Sequence, residues 1–337
     1  MATALTLTEV LDNLYTSTWQ NMKSTLVDNI FSATPFWFWL KDKGKLEPVE
    51  GGRFLTEPLQ FATNDNIGWI GKGGTVSLQD FQFMTIAQFS WRYLVGSLVR
   101  FGVDDQQNRG KNEIISLMNS KMENTKMSLI TELETRLAGA AGTVTAGTTT
   151  ANGASIDGLQ WLVPDDPTSA SNTVGGIDPS AGQNTWWRNQ ATNATGKSFA
   201  TYGVSLMRTM LNNCMNNLKM DAPDIILSGQ TPYEYYEDNT LTYYRTSNNK
   251  LTDLGFQNIV YKGIPMIWAP SVANTRMYFL NTNFIKFAYD PMMFFDMTEW
   301  KAIPDQVNDR AAQIITAGAF KISRRKCQGV IYNIDTA

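Results

Sequence analysis

The sequence predicts a mixed α+β chain, on three observations. Apolar residues recur at helical spacing in two long stretches, residues 7–30 and 112–138. Between them, over residues 51–93, the apolar period falls to two. After residue 278 the sequence alternates again, so late strands must return to pair with something earlier. At 337 residues the chain has the length of roughly two or three structural units, and size does not limit its core.

The first helix is carried by Leu7, Leu11, Leu14, Met22, Leu26 and Ile30, with Trp19 among them, and Thr6 followed by Glu9 has the form of a capping box. It ends before Pro35. The aromatic run Phe36, Trp37, Phe38, Trp39 is too short to span a bilayer, and core packing is its expected role. In residues 51–93, Leu55, Leu59 and Phe61 alternate with polar residues, and Phe81, Phe83, Phe89 and Trp91 share a face. This is the pattern of a β-hairpin joined by the glycine-rich stretch 66–74. A lone two-stranded hairpin is marginal in water, so this one needs a partner surface, for which another subunit is a candidate.

The second helical stretch places Ile115, Met118, Met122, Leu129, Leu133 and Leu137 on one face. At 1.5 Å per residue it would be about 40 Å long, the length of a structural spine. Residues 139–154 are a chargeless run of Gly, Ala, Thr, Val and Asn, which predicts a loop. A short apolar segment at 159–163 precedes turns around Pro164, Asp165, Asp166 and Pro167. Met207, Met210, Leu211, Cys214 and Leu218 then mark a further amphipathic helix, in whose stripe Cys214 is a core residue. Residues 224–227 and 264–268 read as buried strands, with a helix starting at Thr231-Pro232 between them. Stretches 278–280, 284–288 and 312–334 are the returning strands.

Composition excludes much chemistry. Hydrophobic residues make up 43% and charged ones 18%, well under the usual quarter, which suits a chain with extensive contacts. Lys plus Arg is 28 against 31 Asp plus Glu, a net charge of −3, so no overall basic field draws the chain to nucleic acid. Histidine is absent, which removes triads that relay protons through imidazole and the two-His zinc motifs. Cys214 and Cys327 have no nearby second cysteine to form a chelating or redox pair. No positive n-region, apolar h-region or run of eighteen apolar residues is present, and a soluble, cytoplasmic chain is expected.

Four features invite a chemical reading. Ala191 followed by Gly196-Lys197-Ser198 fits a permissive phosphate-binding loop, but Arg188, Asn189, Gln190, Thr192 and Asn193 are a poor buried strand to aim it, and no Walker-B aspartate follows. Gly71-Lys72-Gly73-Gly74 sits at the hairpin tip, where glycines serve turns. The adjacent pairs Asp104-Asp105 and Asp165-Asp166 fit solvated turns better than a shared acid/base site. Arg310, Lys321, Arg324, Arg325 and Lys326 form a basic stretch without an acid, expected to be a solvated strand face or an ion-paired contact. Arg324, Arg325 and Lys326 are its candidates for touching nucleic acid without sequence readout.

The order of these elements, with Gly51-Gly52-Arg53 before Glu57-Pro58-Leu59, Gly158-Leu159 with Leu162-Val163, Thr173-Val174-Gly175-Gly176-Ile177-Asp178 and Trp186-Trp187-Arg188-Asn189, resembles the major capsid proteins of tailed bacteriophages with the Hong Kong 97 phage fold. The resemblance runs from about Thr8 to the C-terminus. It implies an N-terminal arm over residues 1–50, an extended E-loop over 51–93, a P-domain with the spine helix over 94–192, an axial A-domain over 193–283, and returning P-domain strands over 284–337.

What the resemblance implies for function is a structural virion protein without catalysis or cofactor. Such a protein self-assembles into pentamers and hexamers of an icosahedral shell around double-stranded DNA, in the host cytoplasm, with separate scaffolding, portal and decoration proteins and no membrane. Candidate subunit contacts are then Trp19, Phe36, Trp37, Trp69, Ile70, Lys72, Phe81, Phe83, Phe89 and Trp91. Some members crosslink an E-loop lysine to a neighbour's asparagine with a glutamate as base; Lys72 stands in such a place, but no matching asparagine and glutamate motif is found, so no crosslink is assigned. Some also carry a scaffolding segment before the arm, for which too few residues precede the first helix here. The rival readings are an encapsulin-like compartment shell and a nucleotide-binding phage enzyme built on Gly196-Lys197-Ser198.

Overall fold

The structure, a computed structural model, describes residues 35–64, 66–75, 78–102, 111–138, 156–215, 222–241, 258–304 and 309–335. The expected first helix with Trp19, the 139–154 loop and the Asp104-Asp105 pair lie outside these residues.

Helix α1 (Pro35–Asp42) begins at the proline the first helix was expected to stop before, a residue whose fixed φ and missing N–H suit the first helical turn. Phe36, Trp37 and Trp39 face inward. Phe36 and Trp37 are buried, with Trp37 edge-on to Phe287 at 4.6 Å and Phe36 5.9 Å from Phe320. These two candidate interface residues are core residues of the chain itself, because a helix packed flat on a sheet buries its aromatic face there.

That sheet has six strands. β1 (Leu46–Pro48) runs parallel to β10 (Ile285–Tyr289), and β10 pairs antiparallel with the long β13 (Arg310–Ile322). β4 (Arg92–Arg100) lies antiparallel to β13 over nine residue pairs, and the short β11 (Asp296–Met297) and β12 (Lys301–Ala302) also pair with β13. Helix α2 (Lys111–Leu137) packs on β4, and Leu129, Leu133 and Leu137, all assigned to its apolar face from sequence, are buried.

The hairpin stem is β2 (Leu55–Gln60) antiparallel to β3 (Met84–Phe89), in a register that opposes Leu55 to Phe89. Its inner face, Leu55, Leu59, Ala87 and Phe89, is buried within the chain. Gln88 N donates to Gly175 O at 3.0 Å, and Phe61 stacks on Trp186. The partner surface the stem needed is therefore supplied in part by residues 174–186 of the same chain. Gly175 must be glycine twice over: its φ is +64°, and a Cβ there would stand 2.8 Å from the Ala87 Cβ.

A second six-stranded sheet has the order β5-β14-β9-β6-β8-β7, from β5 (Gln190–Asn193), β14 (Gly329–Tyr332), β9 (Met277–Leu280), β6 (Ile225–Ser228), β8 (Ile264–Trp268) and β7 (Asn258–Tyr261). Its central strands are buried on both faces, which is why 225–227, within the segment 224–227 read as a buried strand, are an unbroken apolar run. Ile225, Leu227, Tyr278 and Leu280 join the core shared with the first sheet. Ile226, Met277 and Phe279 face a second cluster beneath α4 (Phe199–Cys214) and α5 (Gln230–Leu241). The returning strands are divided between the sheets: β9 and β14 pair here, while β10 and β13 lie in the first sheet.

Between the sheets runs the connector that begins with the single turn α3 (Leu159–Leu162). Gly158 has an ordinary φ of −85°, but a Cβ there would collide with the Arg136 carbonyl oxygen at the end of α2. Space, not backbone conformation, demands the glycine. Gly158→Ala should therefore separate the helix end from the connector and cost about 2–4 kcal/mol of stability, read as a lowered midpoint in urea unfolding; an unchanged midpoint would mean the two backbones are not this close.

Candidate assembly surfaces

The hairpin carries apolar residues that the other described residues leave uncovered. On the outer face of the stem, Pro58 opposes Ile86 and Gln60 opposes Met84, and Ile86 and Met84 are exposed. Further out, Ile67 is 81% and Leu78 91% exposed, Trp69 is fully in solvent, and Ile70 and Phe83 are exposed as well. Soluble monomers rarely present so many large apolar side chains on one projection. Burying one of them fully is worth about 1.5–3 kcal/mol, so several together make a strong contact.

The predicted contact residues thus divide. Trp69, Ile70, Lys72 and Phe83 are exposed on the hairpin. Phe81 and Trp91 are half-buried, Trp91 donating from Nε1 to Gly52 O at 2.8 Å, and Phe89 is buried in the chain's own core. Sequence reading missed Met84, Ile86, Ile67 and Leu78. Following one face of an alternating pattern hides a second apolar face, and an even-numbered apolar count in 78–86 would have exposed it.

The basic stretch is largely tied up internally. Lys321 Nζ lies 2.7 Å from Glu47 Oε1 and 3.2 Å from Glu57 Oε2, joining the first sheet to the hairpin stem, and Lys286 completes the group at 3.2 Å from Glu47. Burial works against the Lys321 charge, but the bonds to Glu47 and Glu57 outweigh it and its pKa is raised. Arg325 is fully buried: Nε donates to Leu162 O at 3.1 Å, Nη2 to Asn189 Oδ1 at 3.2 Å, and the guanidinium lies over the Trp187 ring. Burial pushes Arg325 down to about 9, which still leaves it charged at neutral pH. It cannot meet nucleic acid, and its candidacy is corrected accordingly; its sequence neighbours Arg324, over the Phe284 ring, and Lys326 are half-exposed.

Residues 191–198 differ from expectation too. A strand does lead in, since β5 pairs parallel with β14, and α4 starts directly after Ser198. Ala191 lies inside that strand, however, so the loop is short. Lys197 N donates to Ala194 O and Thr195 N to Asn193 Oδ1, both at 3.0 Å, around Gly196 at φ +71°. The N–H groups a phosphate cradle would aim outward are spent on closing a turn. The Asp165-Asp166 pair also splits. Asp166 accepts from Thr168 in its own turn, as a solvated turn would, while Asp165 forms a two-pronged ion pair with Arg276. Among the described residues no group of three or more His, Cys, Asp or Glu could hold a metal ion, and no helix is long and apolar enough to cross a membrane.

Two six-stranded sheets sharing a core, a long helix packed on one of them and a hairpin with an exposed apolar face give a fold that can be compared with known structures. The cyanophage A-1(L) capsid subunit matches with a TM-score of 0.56 at 14% identity, covering 86% of this chain and 90% of that one. The chain has the Hong Kong 97-type capsid fold. The same fold is shared with the SrpI encapsulin of Synechococcus elongatus PCC 7942, with a TM-score of 0.54 at 10% identity over 89% and 88% of the two chains. The capsid of a native GTA particle gives 0.50 at 9% identity over 88% and 90%. No protein-family model and no curated protein sequence matches the chain.

Two outcomes follow from these placements. Replacing Arg324 and Lys326 together by Gln, with Arg325 kept, should leave the salt dependence of DNA binding nearly unchanged, whereas two lost phosphate contacts would lower the slope by about two units. Lys197→Ala should behave like the wild type in calorimetry with ATP or GTP, neither binding measurably; micromolar affinity lost in the variant would restore the nucleotide reading.

Proposed function

We propose that the chain is a major capsid protein of a tailed bacteriophage, a non-enzymatic subunit that assembles into pentamers and hexamers of an icosahedral shell around double-stranded DNA. The observation that carries this reading is the bare apolar hairpin on a chain whose fold matches capsid subunits along nearly their whole length. A subunit that is its own best partner needs such a surface, and a shell gives every copy a neighbour to cover it. The low charge content fits the same picture.

In this reading residues 1–50 are the arm, 51–93 the E-loop, and 94–192 with 284–337 the P-domain around the spine helix α2. Residues 193–283 form the A-domain, whose sheet also takes in β5 and β14 from either side of that span. Trp69, Ile70, Phe83, Met84 and Ile86 are the proposed neighbour-facing residues, with Lys72 an exposed tip lysine. DNA is held without sequence readout, and scaffolding, portal and decoration proteins are separate chains. The match to an encapsulin supports a second reading, a compartment shell of the same architecture without packaged DNA. Electron microscopy and nucleic-acid content of purified particles separate the two.

The hairpin is the point of test. Trp69→Asp and Ile86→Asp change exposed side chains, so each variant should fold and melt like the wild type yet remain small in sedimentation, because a carboxylate buried at every copy costs several kcal/mol. Normal shells from both variants would remove the hairpin from the assembly contact.

A further inference from the structure

The end of the long helix meets the second sheet through a buried polar contact. Glu134 lies near the C-terminus of α2, and Ser271 lies in the loop between β8 and β9. The Ser271 hydroxyl donates to Glu134 Oε1 at 3.0 Å. Ser271 is buried, as are Ala269 and Val272 beside it and Leu133, Leu137 and Ala138 beside Glu134. The stem of Glu134 is half-exposed, but its Oε2 is enclosed and has no hydrogen-bond partner among the described residues.

The charged groups on the elements packed here are engaged with one another. Glu132 and Arg136 on the same helix pair at 2.7 Å, Arg92 of β4 lies 3.5 Å from Asp157 ahead of the connector, and Arg276 at the end of the Ser271 loop is held by Asp165. Among the described residues Glu134 has one neutral donor and no cation paired with it, and an enclosed carboxyl in that position favours its uncharged form. Burial pushes it up to about 7, the Ser271 bond offsetting only part of the effect.

We propose that Glu134 and Ser271 form a protonation-controlled latch between the end of the long helix and the second sheet, closed while the carboxyl is neutral and loosened when it ionises. The sign follows from linkage. The folded-state value lies above the ordinary 4.5, so the native chain holds this proton longer than the unfolded one. The stabilisation is fully present below about 4.5 and is lost as pH rises through about 7. Burial also raises the Asp157 and Asp165 carboxyls, each partly offset by its arginine, so the share of the loss that belongs to Glu134 is the part a non-titrating residue at that position removes. The contact lies within one chain, so it operates whether or not the chain builds shells.

Hydrogen exchange on the full chain, corrected for its intrinsic pH dependence, reads the latch directly. In the wild type, opening of residues 129–138 and 269–276 should rise on the order of tenfold or more between about pH 5.5 and 8.5. Glu134→Gln keeps the shape and the acceptor without titrating, and should stay level; an equal rise in both overturns the proposal. If that variant fails to fold, the carboxyl-carbon NMR titration of wild-type Glu134 decides, with a midpoint near 7 supporting the latch and one near 4.5 overturning it. Ser271→Ala should move the midpoint higher still, since it removes a donor that favours the charged form. An unmoved midpoint would overturn the pairing with Ser271.

Discussion

The structure depends on burying two places where the chain crosses from one sheet to the other. One crossing joins β9 to β10 through Asn281 to Phe284, and the other joins β13 to β14 through Ser323 to Gln328. Crossings inside a core expose peptide groups to a medium without water, so each must find a partner. The two are therefore clasped to each other. Gln328 accepts from Asn281 N at 2.8 Å and donates back to Asn281 O at 3.0 Å, and Ser323 N donates to Phe284 O. Asp224 takes both the N–H and the hydroxyl of Thr282, as well as the indole N–H of Trp39, so α1 is fixed to the same knot. Asn281, Thr282, Arg325 and Gln328 have no solvent exposure at all.

Arg325 extends the knot to the connector. Its guanidinium holds Leu162 O and Asn189 while lying over Trp187, whose own Nε1 donates to Val174 O, and Asn189 reaches Pro164 O. The strip that receives the hairpin stem is thus anchored to the second sheet's C-terminal strand. A buried cation without a carboxylate is an expensive way to make such a joint in isolation. It is tolerated because each donor that is satisfied closes a gap between segments more than a hundred residues apart, and an apolar replacement would leave those carbonyls without partners. With the stem's inner face fixed this way, the outer face and the tip are left uncovered by the other described residues. The exposed apolar surface is a consequence of how completely the interior is closed.

Periodicity made the elements legible and their partners obscure. The stripe of Leu129, Leu133 and Leu137, the unbroken apolar run at 225–227 and the alternation of Leu55 and Leu59 each name an element and its buried face from neighbours within a turn or a strand. Phe36 and Trp37 carried two readings, core packing from their composition and subunit contact from the resemblance, and the positions of Phe287 and Phe320 decide for the core. Arg325 was misplaced because its partners were obscure. In sequence it stands between two cations and looks like part of a basic patch, whereas its environment is made by residues 162, 187 and 189. Residues 312–334 read as one returning stretch, whereas β13 and β14 within it lie in different sheets, because a buried crossing leaves no local signature.

The letters that carried the resemblance are explained by the same physics. Apolar core positions accept many exchanges as long as volume and pattern are kept, so they leave little trace in a comparison at 14% identity or below. Gly158 has no such freedom, because a carbonyl oxygen occupies the place of its Cβ, and Gly175 has none, because both its φ and the Ala87 methyl forbid a side chain. Trp187 and Asn189 are constrained by the buried guanidinium they surround. A fold held by a few such positions and otherwise filled by interchangeable apolar volume can retain its shape while most of its sequence differs, and the short runs around those positions are then where a reader of sequence alone can still find it.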